Sequence, residues 1–446
     1  MCFMLISMIE KGCRLCFFGL GLSSTALLEY LPLKNCRVSI RSDTDISWSA
    51  IPCGARIERL LIGRSAYRDI DEDIIIFSPS VRRDRPELLE AKNRGVIFTS
   101  DAEMFFEMES ADVFAVTGSD GKSTTATLTD MMLKAGGIKS ALIGNIGRPM
   151  LPCLGKSEVF VAELSSFMLS YARPRVRRGC ITNITPNHLD WHRDFEEYKG
   201  TKLSLKDCCQ ELIISDELTE ISGAYGIVST DKGYGELRDE YKAELYLTLE
   251  NGYIKRNGRE LISKDLIGRK ERHNLKNALM AIGMVDGYVG IDEIQAVLGK
   301  FEGLEHRCKM IARIDGVECY DSSIDSTPRR TAMTLESLGK EVVLILGGRG
   351  KGLDYADLNP AIKRYAKRII ITGENAKEIY RAIEDRESCI MTKSFAEAIN
   401  IGLTEARRVG ALLLSPASTS YDMFRSYAER GDSFKEILLK IQRKEN

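Results

Sequence analysis

The segment Asp112 to Thr125, DVFAVTGSDGKSTT, has the residue types and spacing of a phosphate cradle. A short apolar run enters a glycine turn that ends in Lys-Ser-Thr and opens a helical pattern. Gly118 and Gly121 let the backbone bend so that successive N–H groups converge, with Ser119 and Asp120 between them. The helix that follows, opening with Ser123 and Thr124, adds the partial positive charge of its N-terminus. Lys122 is placed to reach the β- and γ-phosphates of a nucleotide, and the hydroxyl of Ser123 to hold Mg2+. The usual P-loop spacing would set its first glycine where this chain has Val116, so the loop is a shortened variant.

Ligands of an open parallel sheet lie beyond the carboxyl ends of its strands. Asn145 follows the apolar run ALIG, Glu163 follows VFVA, and His188 comes shortly after CITNIT, so all three are expected in the crevice that holds Lys122. A carboxylate and an imidazole beside a triphosphate suit Mg2+ or its waters. Taken singly, Glu163 reads as a ligand ahead of a helix-dipole carboxylate, whereas His188 reads as a core histidine ahead of a ligand. The chain has four histidines, His188, His192, His273 and His306, and neither a GxSxG elbow nor an HExxH zinc motif. Metal-assisted phosphoryl transfer fits better than hydrolysis by a Ser/His/Asp triad or by zinc.

The elements that must position these residues read as α/β. Apolar runs of four to seven residues alternate with amphipathic stretches, which predicts parallel sheets layered with helices. One block runs from Leu15–Phe18 through Ile74–Phe77 to Val96–Phe98. A second starts at the cradle and includes Ala141–Ile143, Val159–Ala162 and 180–184. A third contains 341–346, 368–372 and Ala411–Leu414. Linkers are expected near 105–111 and 302–316. Gly19-Leu20-Gly21 follows the first strand, but Ser24 stands at the third glycine position and the next strand ends Ile40-Arg41-Ser42 with no acid, so NAD is not expected. A nucleotide or sugar phosphate near Leu22 and Ser23 stays open beside a merely structural turn.

A chain of 446 residues exceeds one typical domain. With 63 basic and 64 acidic side chains it has no overall field to attract nucleic acid or an anionic membrane. Twelve cysteines without a regular framework point to free thiols in a reducing compartment, hence the cytoplasm. Cys13 and Cys16 have CxxC spacing without a second pair, and are expected as buried thiols. The N-terminal MCFMLISMIEKG is too short to span a bilayer and reads as an irregular cytoplasmic N-terminus.

The chain resembles the Mur ligase family through a series of motifs in order. These are TGSDGKST (117–124), GNIGRP (144–149), ELSSFML (163–169), NHLDWH (187–192), YKGTKL (198–203), HNLKNA (273–278), EHR (305–307), LGGRGKG (346–352) and SPASTSYDMF (415–424). The resemblance implies three domains. An N-terminal Rossmann-like domain (1–107) would bind a UDP-linked substrate. A central P-loop ATPase domain with a mostly parallel sheet (108–308) would bind ATP, and a C-terminal Rossmann-like domain (309–446) the amino acid. It further implies ATP-dependent ligation of D-glutamate to UDP-N-acetylmuramoyl-L-alanine through an acyl phosphate, by a monomer, with Mg2+.

On matching positions, Lys122 would hold the phosphates, and Ser123, Glu163, His188 and a carbamylated Lys202 the metal sites. Sequence alone favours a solvated helix lysine at 202. Asn274 would contact the nucleotide, Arg307 the phosphates and Asp321 the ribose. Leu22, Ser23, Ser80 and Asn145 would face the UDP-muramoyl group, and Lys351, Ser420 and Tyr427 the amino acid's carboxylates. Two departures stand out. Ser323 and Asp325 replace a lysine and a threonine of many members, which should weaken anionic substrate binding unless a cation such as Arg329 or Arg330 compensates. Arg41-Ser42 stands where an Asp-Thr pair often faces uracil, so backbone groups are expected to recognise uridine. A sister ligase, a folylpolyglutamate-type enzyme and a P-loop regulator without ligase activity are the rival readings. The third domain is expected to close over the acyl phosphate and exclude water.

Overall fold

The apolar runs IIIF, VFVAE, VVLILG and ALLL form strands buried from end to end, as parallel strands must be when helices cover both faces of their sheet. The computed structural model describes residues 2–43, 46, 51–52, 57–189, 191–218, 220–270, 272–350 and 353–445. Three α/β domains each carry one sheet. The first sheet contains β1 (Arg14–Phe18), β2 (Arg37–Ser42), β3 (Ile57–Ile62), β4 (Ile74–Phe77) and β5 (Ile97–Thr99), all parallel, in the order β3-β2-β1-β4-β5.

The second sheet comprises β6 (Asp112–Thr117), β7 (Ser140–Gly144), β8 (Val159–Glu163), β9 (Val176–Ile181), β10 (Cys209–Ser215), β11 (Gly226–Ser229), β12 (Leu245–Glu250), β13 (Tyr253–Arg256) and β14 (Arg259–Ser263). Its order is β14-β13-β12-β11-β10-β9-β6-β8-β7, antiparallel only from β12 to β14. These two sheets share the compact unit Met1–Phe301. The unit Glu302–Asn446 holds the third sheet. That sheet has β15 (Lys309–Ile314), β16 (Val317–Asp321), β17 (Val342–Gly347), β18 (Ala366–Thr372), β19 (Cys389–Met391) and β20 (Ala411–Leu414), ordered β15-β16-β20-β17-β18-β19.

The predicted fold class holds, with three differences. The N-terminus is a helix, Cys2–Lys11, rather than irregular, because Leu5 and Ile9, one turn apart, bury against the first sheet. The stretch 302–316 contains β15, paired antiparallel to β16 through Asp315-Gly316, both at positive φ (48° and 82°). Asn251-Gly252 and Asn257-Gly258 turn β12 into β13 and β13 into β14 in the same way, with φ of 52°, 80°, 50° and 79°. These dipeptides are hairpin signals whose left-handed residues match strand twist. The stretch 105–111 begins inside the helix Asp101–Met108, where Phe105 is buried.

The ten cysteines whose side chains are described are free thiols. Cys16 is buried as expected, whereas Cys13 is half-buried with its Sγ 3.8 Å from that of Cys36.

Candidate functional site

Strand β6 delivers the chain into the glycine turn, and the helix Lys122–Ala135 leaves it. Gly118 has φ 144°, and a Cβ there would lie 2.0 Å from Thr182 Oγ1. At Gly121 (φ 79°) a Cβ would lie 2.3 Å from Asn277 Oδ1. Both glycines are therefore required by conformation and by space. Neighbouring strand ends brace the loop: Ser119 N donates to Asn183 O (2.9 Å), Asp120 N to Asn183 Oδ1 (2.9 Å) and Ser119 Oγ to Thr185 O (2.8 Å). Lys122 Nζ donates to the carbonyls of Gly118 (2.9 Å) and Ser119 (2.7 Å), which holds the ammonium over the loop. Ser123 and Thr124 are buried in the first turn of the helix.

Thr182, Asn183 and Asn277 were not singled out from sequence. Asn277 was legible, since it lies one turn after Asn274 within HNLKNA on the helix Arg272–Val285, which packs against Lys122–Ala135.

Lys202 ends the helix Phe195–Leu203 and is 2% exposed, which overturns the solvated reading. Its Nζ lies 3.5 Å from Thr117 Oγ1. Burial, then the neighbouring Lys122 charge, holds the Lys202 amine well below the usual lysine range, while Glu163 and Asp120 oppose the shift. Glu163 is the last residue of β8 and fully buried. Its Oε1 accepts from Asn145 Nδ2 (2.6 Å), and its Oε2 has no hydrogen-bond partner. Lys122, Asn145 and Glu163 thus gather at the carboxyl ends of β6, β7 and β8, and Lys202 joins them there.

His188 is exposed, not a core histidine, and takes a positive φ of 53°. Phe167 stands 4.9 Å from it, centroid to centroid. His192 is the buried one, with Nε2 2.9 Å from Ser166 Oγ. Its partner Ser166 opens the short helix Ser166–Leu169 that follows Glu163.

At the first sheet, Gly19 (φ 84°) packs so closely on the turn after β4 that a Cβ would meet Ser78 Cβ at 2.7 Å. Helix Leu22–Tyr30 starts there, with Leu22 89% exposed, Ser23 half-buried, and Ser80 exposed on the neighbouring turn. Arg41 does not face this edge. It is 0% exposed and bonds Glu72 (3.0 Å) and the carbonyls of Ala66, Arg68 and Asp69. The carboxylate just past β2 is Asp43, which accepts from Tyr67 OH at 2.8 Å and was overlooked in sequence. A charged cavity of about 1080 Å3, lined by Arg14, Arg59, Asp71 and Asp73 among others, lies at the amino ends of this sheet, away from the site.

In the unit 302–446, Asp321 ends β16 with Oδ2 2.7 Å from His306 Nδ1 and Oδ1 accepting from Ser323 N (2.8 Å). Arg307 is half-buried one residue after His306. Ser323 is buried and bonds the Tyr427 carbonyl (2.8 Å). Asp325 turns inward, accepting from Thr334 Oγ1 (2.7 Å) and Ser415 Oγ (2.8 Å), so its carboxylate is not presented to a ligand. Burial pushes its pKa up. Arg329 and Arg330 are exposed, and the cation beside Ser323 is Arg430, 1% exposed. Ser420 is buried and Tyr427 exposed at the head of the helix Tyr427–Glu445. Lys351 lies outside the described residues.

The residues fit Mg2+. This hard cation takes few protein oxygens and keeps waters and phosphates as its other ligands. Glu163 Oε2 is an orphaned buried carboxylate oxygen of that kind, and Ser123 adds a hydroxyl at a helix N-terminus. Among the described residues no three His, Cys, Asp or Glu side chains converge, the pattern that a metal cage built wholly of protein ligands would need.

Comparison with known proteins gives concordant matches. The Mur ligase middle domain matches residues 116–285, and the Mur ligase, glutamate ligase domain matches 306–418. The chain is 33% identical over 442 residues to the UDP-N-acetylmuramoylalanine–D-glutamate ligase of Clostridium botulinum (strain Okra / Type B1), covering 94% of this chain and 95% of that one. It is 34% identical over 456 residues to the same-named ligase of Ruminiclostridium cellulolyticum, covering 96% and 97%. Among solved structures, the UDP-N-acetylmuramate-alanine ligase of Thermotoga maritima superposes with a TM-score of 0.63 at 18% identity, covering 97% of this chain and 100% of that one, a likeness of fold.

Proposed function

Because the chain belongs to the Mur ligase family, we propose that it joins D-glutamate to UDP-N-acetylmuramoyl-L-alanine at the expense of ATP, in peptidoglycan precursor synthesis. The observation that carries the chemistry is Lys202, buried beside Glu163 and Lys122 at the carboxyl ends of the central strands. A switch protein would have no use for a second lysine, this one buried, and an orphaned carboxylate behind its phosphate loop. The substrates are supported by the near full-length likeness to D-glutamate ligases.

In this reading the loop amides of 118–122 and the Lys122 ammonium orient the ATP phosphates and offset charge on the transferring group. The substrate carboxylate attacks the γ-phosphorus, ADP leaves, and an acyl phosphate results. The amine of D-glutamate then attacks the acyl carbon, loses a proton, and expels phosphate to leave the amide. Glu163, Ser123, His188 and carbamylated Lys202 would hold Mg2+, directly or through water; when bound, it neutralises phosphate charge. Burial disfavours the ammonium of Lys202, the free amine is the form that can add carbon dioxide, and the resulting anion would suit a cation that an ammonium repels.

Asn274, Arg307 and Asp321 are assigned to the nucleotide, and Leu22, Ser23, Ser80 and Asn145 to the UDP-muramoyl group. Lys351, Ser420 and Tyr427 are assigned to D-glutamate. The domains are taken as 1–107, 108–308 and 309–446, in a cytoplasmic monomer that binds neither nucleic acid nor membrane; among the described residues no helix is long and apolar enough to cross a bilayer.

The test is phosphate release from ATP with UDP-N-acetylmuramoyl-L-alanine, comparing D-glutamate with L-glutamate, L-alanine and no amino acid. Release with D-glutamate alone is expected. Release with another amino acid would move the assignment to a sister ligase, and none under any condition would refute ligation.

A further inference from the structure

Trp191 touches three segments that the proposed reaction needs in register. Its indole Nε1 donates to the carbonyl of Ser80 at 2.6 Å, on the turn after β4. Its backbone N–H donates to the carbonyl of His188 at 3.0 Å, closing the turn in which His188 takes its positive φ. Its ring lies 4.7 Å from Phe167, on the helix that follows Glu163, and Phe167 also packs on His188.

Arg82 completes the arrangement from the other side. Its guanidinium sits 5.0 Å from the Trp191 ring centroid and donates to the Trp191 carbonyl, while bonding Asp84 on its own turn. It also reaches Glu197 (3.5 Å) on the helix that carries Lys202. The next residue repeats the link, since Arg83 N donates to Tyr171 OH at 2.9 Å and its guanidinium stacks 4.2 Å from the Tyr171 ring. A positive φ at a residue other than glycine persists where its surroundings over-determine it. Here the bond from the Trp191 N–H and the ring of Phe167 do so at His188.

We propose that Trp191 is a positioning residue, which with Arg82 clamps the Ser80 turn to the His188 turn. The seat of the UDP-linked substrate and the metal side of phosphoryl transfer are then set by one contact. The inference rests on the proposed roles of Ser80 and His188. It assigns Trp191 no contact with reacting atoms. Displacing either turn should weaken substrate binding and metal binding together, because both seats depend on the same contact.

Trp191 also reports on itself. The chain has two tryptophans, so Trp48→Phe leaves the indole at 191 as the only one. Adding UDP-N-acetylmuramoyl-L-alanine without ATP or metal should change its emission saturably. Trp191→Phe keeps a ring but removes the bond to Ser80, and Arg82→Met removes the cation. Each is expected to raise the KM for the UDP substrate and the half-saturating Mg2+ by roughly 10-fold, with the KM for D-glutamate unchanged. Two results overturn the proposal: emission indifferent to the UDP substrate, or folded variants with both constants unaltered. A uniform fall in kcat that tracks a lower melting temperature also overturns it, by assigning Trp191 a structural role only. If wild-type protein releases no phosphate while its emission still responds, the ligase reading fails and the clamp stands as a binding device.

Discussion

Arg430 donates from Nε to the hydroxyl of Ser323 at 3.0 Å, and from Nη2 to the carbonyls of Ser323 (2.8 Å) and Ser418 (3.0 Å). A guanidinium from the last helix therefore borders the position where many family members carry a lysine. Burial pulls the pKa of Arg430 down to about 10, so this space already strains to hold one cation. Ser323→Lys should destabilise the unit 302–446 by about 3–5 kcal/mol, the range for an uncompensated buried charge. Adding Arg430→Met should restore part of the loss. Urea unfolding of both singles and the double measures the coupling, and strictly additive effects would show that the two side chains do not compete.

Gly118 offers a sharper test of the phosphate loop. Alanine there must accept φ near 144° and a Cβ 2.0 Å from Thr182 Oγ1. Backbone strain alone costs about 1–3 kcal/mol. Gly118→Ala should lower the melting temperature and abolish ATP binding by calorimetry, whereas Gly137→Ala, also at positive φ (79°) but in open space, should lower stability only. Normal ATP affinity in Gly118→Ala would falsify the cradle assignment.

Lys202 should trade stability for function. Its folded pKa lies below the ordinary 10.5, so the unfolded state holds more protons between those values, and stability rises with pH across that window. In carbonate-free buffer Lys202→Met should be more stable than wild type at pH 7, with the difference vanishing above pH 10.5. The same variant should be inactive. Lys202→Ala should not respond to bicarbonate but should regain some turnover with formate or acetate; full activity without additive would sink the carbamate role.

His306 predicts a pH effect of opposite sign. Its hydrogen bond to Asp321 raises its pKa above 6.5, with the charges of Asp321, Asp432 and Glu305 adding to the shift and burial opposing it. A raised folded pKa contributes stability that is complete below 6.5 and disappears as pH rises through the folded value. The urea midpoint of the wild type should therefore fall more than that of His306→Gln as pH rises above 6.5. Parallel profiles would remove the charged pair.

Removing the ammonium of Lys122 should cost about 2.7–4 kcal/mol in the barrier, as for loss of one preorganised donor. Single-turnover phosphoryl transfer by Lys122→Ala measures it, and wild-type rates would exclude its role on the phosphates.

Local chemistry was legible in the chain itself. Glycine spacing and strand-to-helix order located the cradle at 117–124, because positive φ combined with no room for a Cβ, as at Gly118 and Gly121, admits only glycine. Apolar runs located most parallel strands, since burial on both faces leaves no polar alternation. The hairpins at Asn251-Gly252, Asn257-Gly258 and Asp315-Gly316 were equally written in the residues. What the tertiary structure alone decided was the environment of each ionisable group. Arg41 and Asp325 stand in sequence at positions expected to border ligands and are buried in hydrogen bonds instead; His188 taken alone looks like a core residue and is exposed; Lys202 sits in a polar helix and is 2% exposed. The partners that settle these cases, Glu72 for Arg41, Ser415 for Asp325 and Glu163 for Lys202, lie on other segments tens of residues away. Spacing along one chain carries the conformation of a turn, whereas desolvation depends on which distant segments close around a side chain.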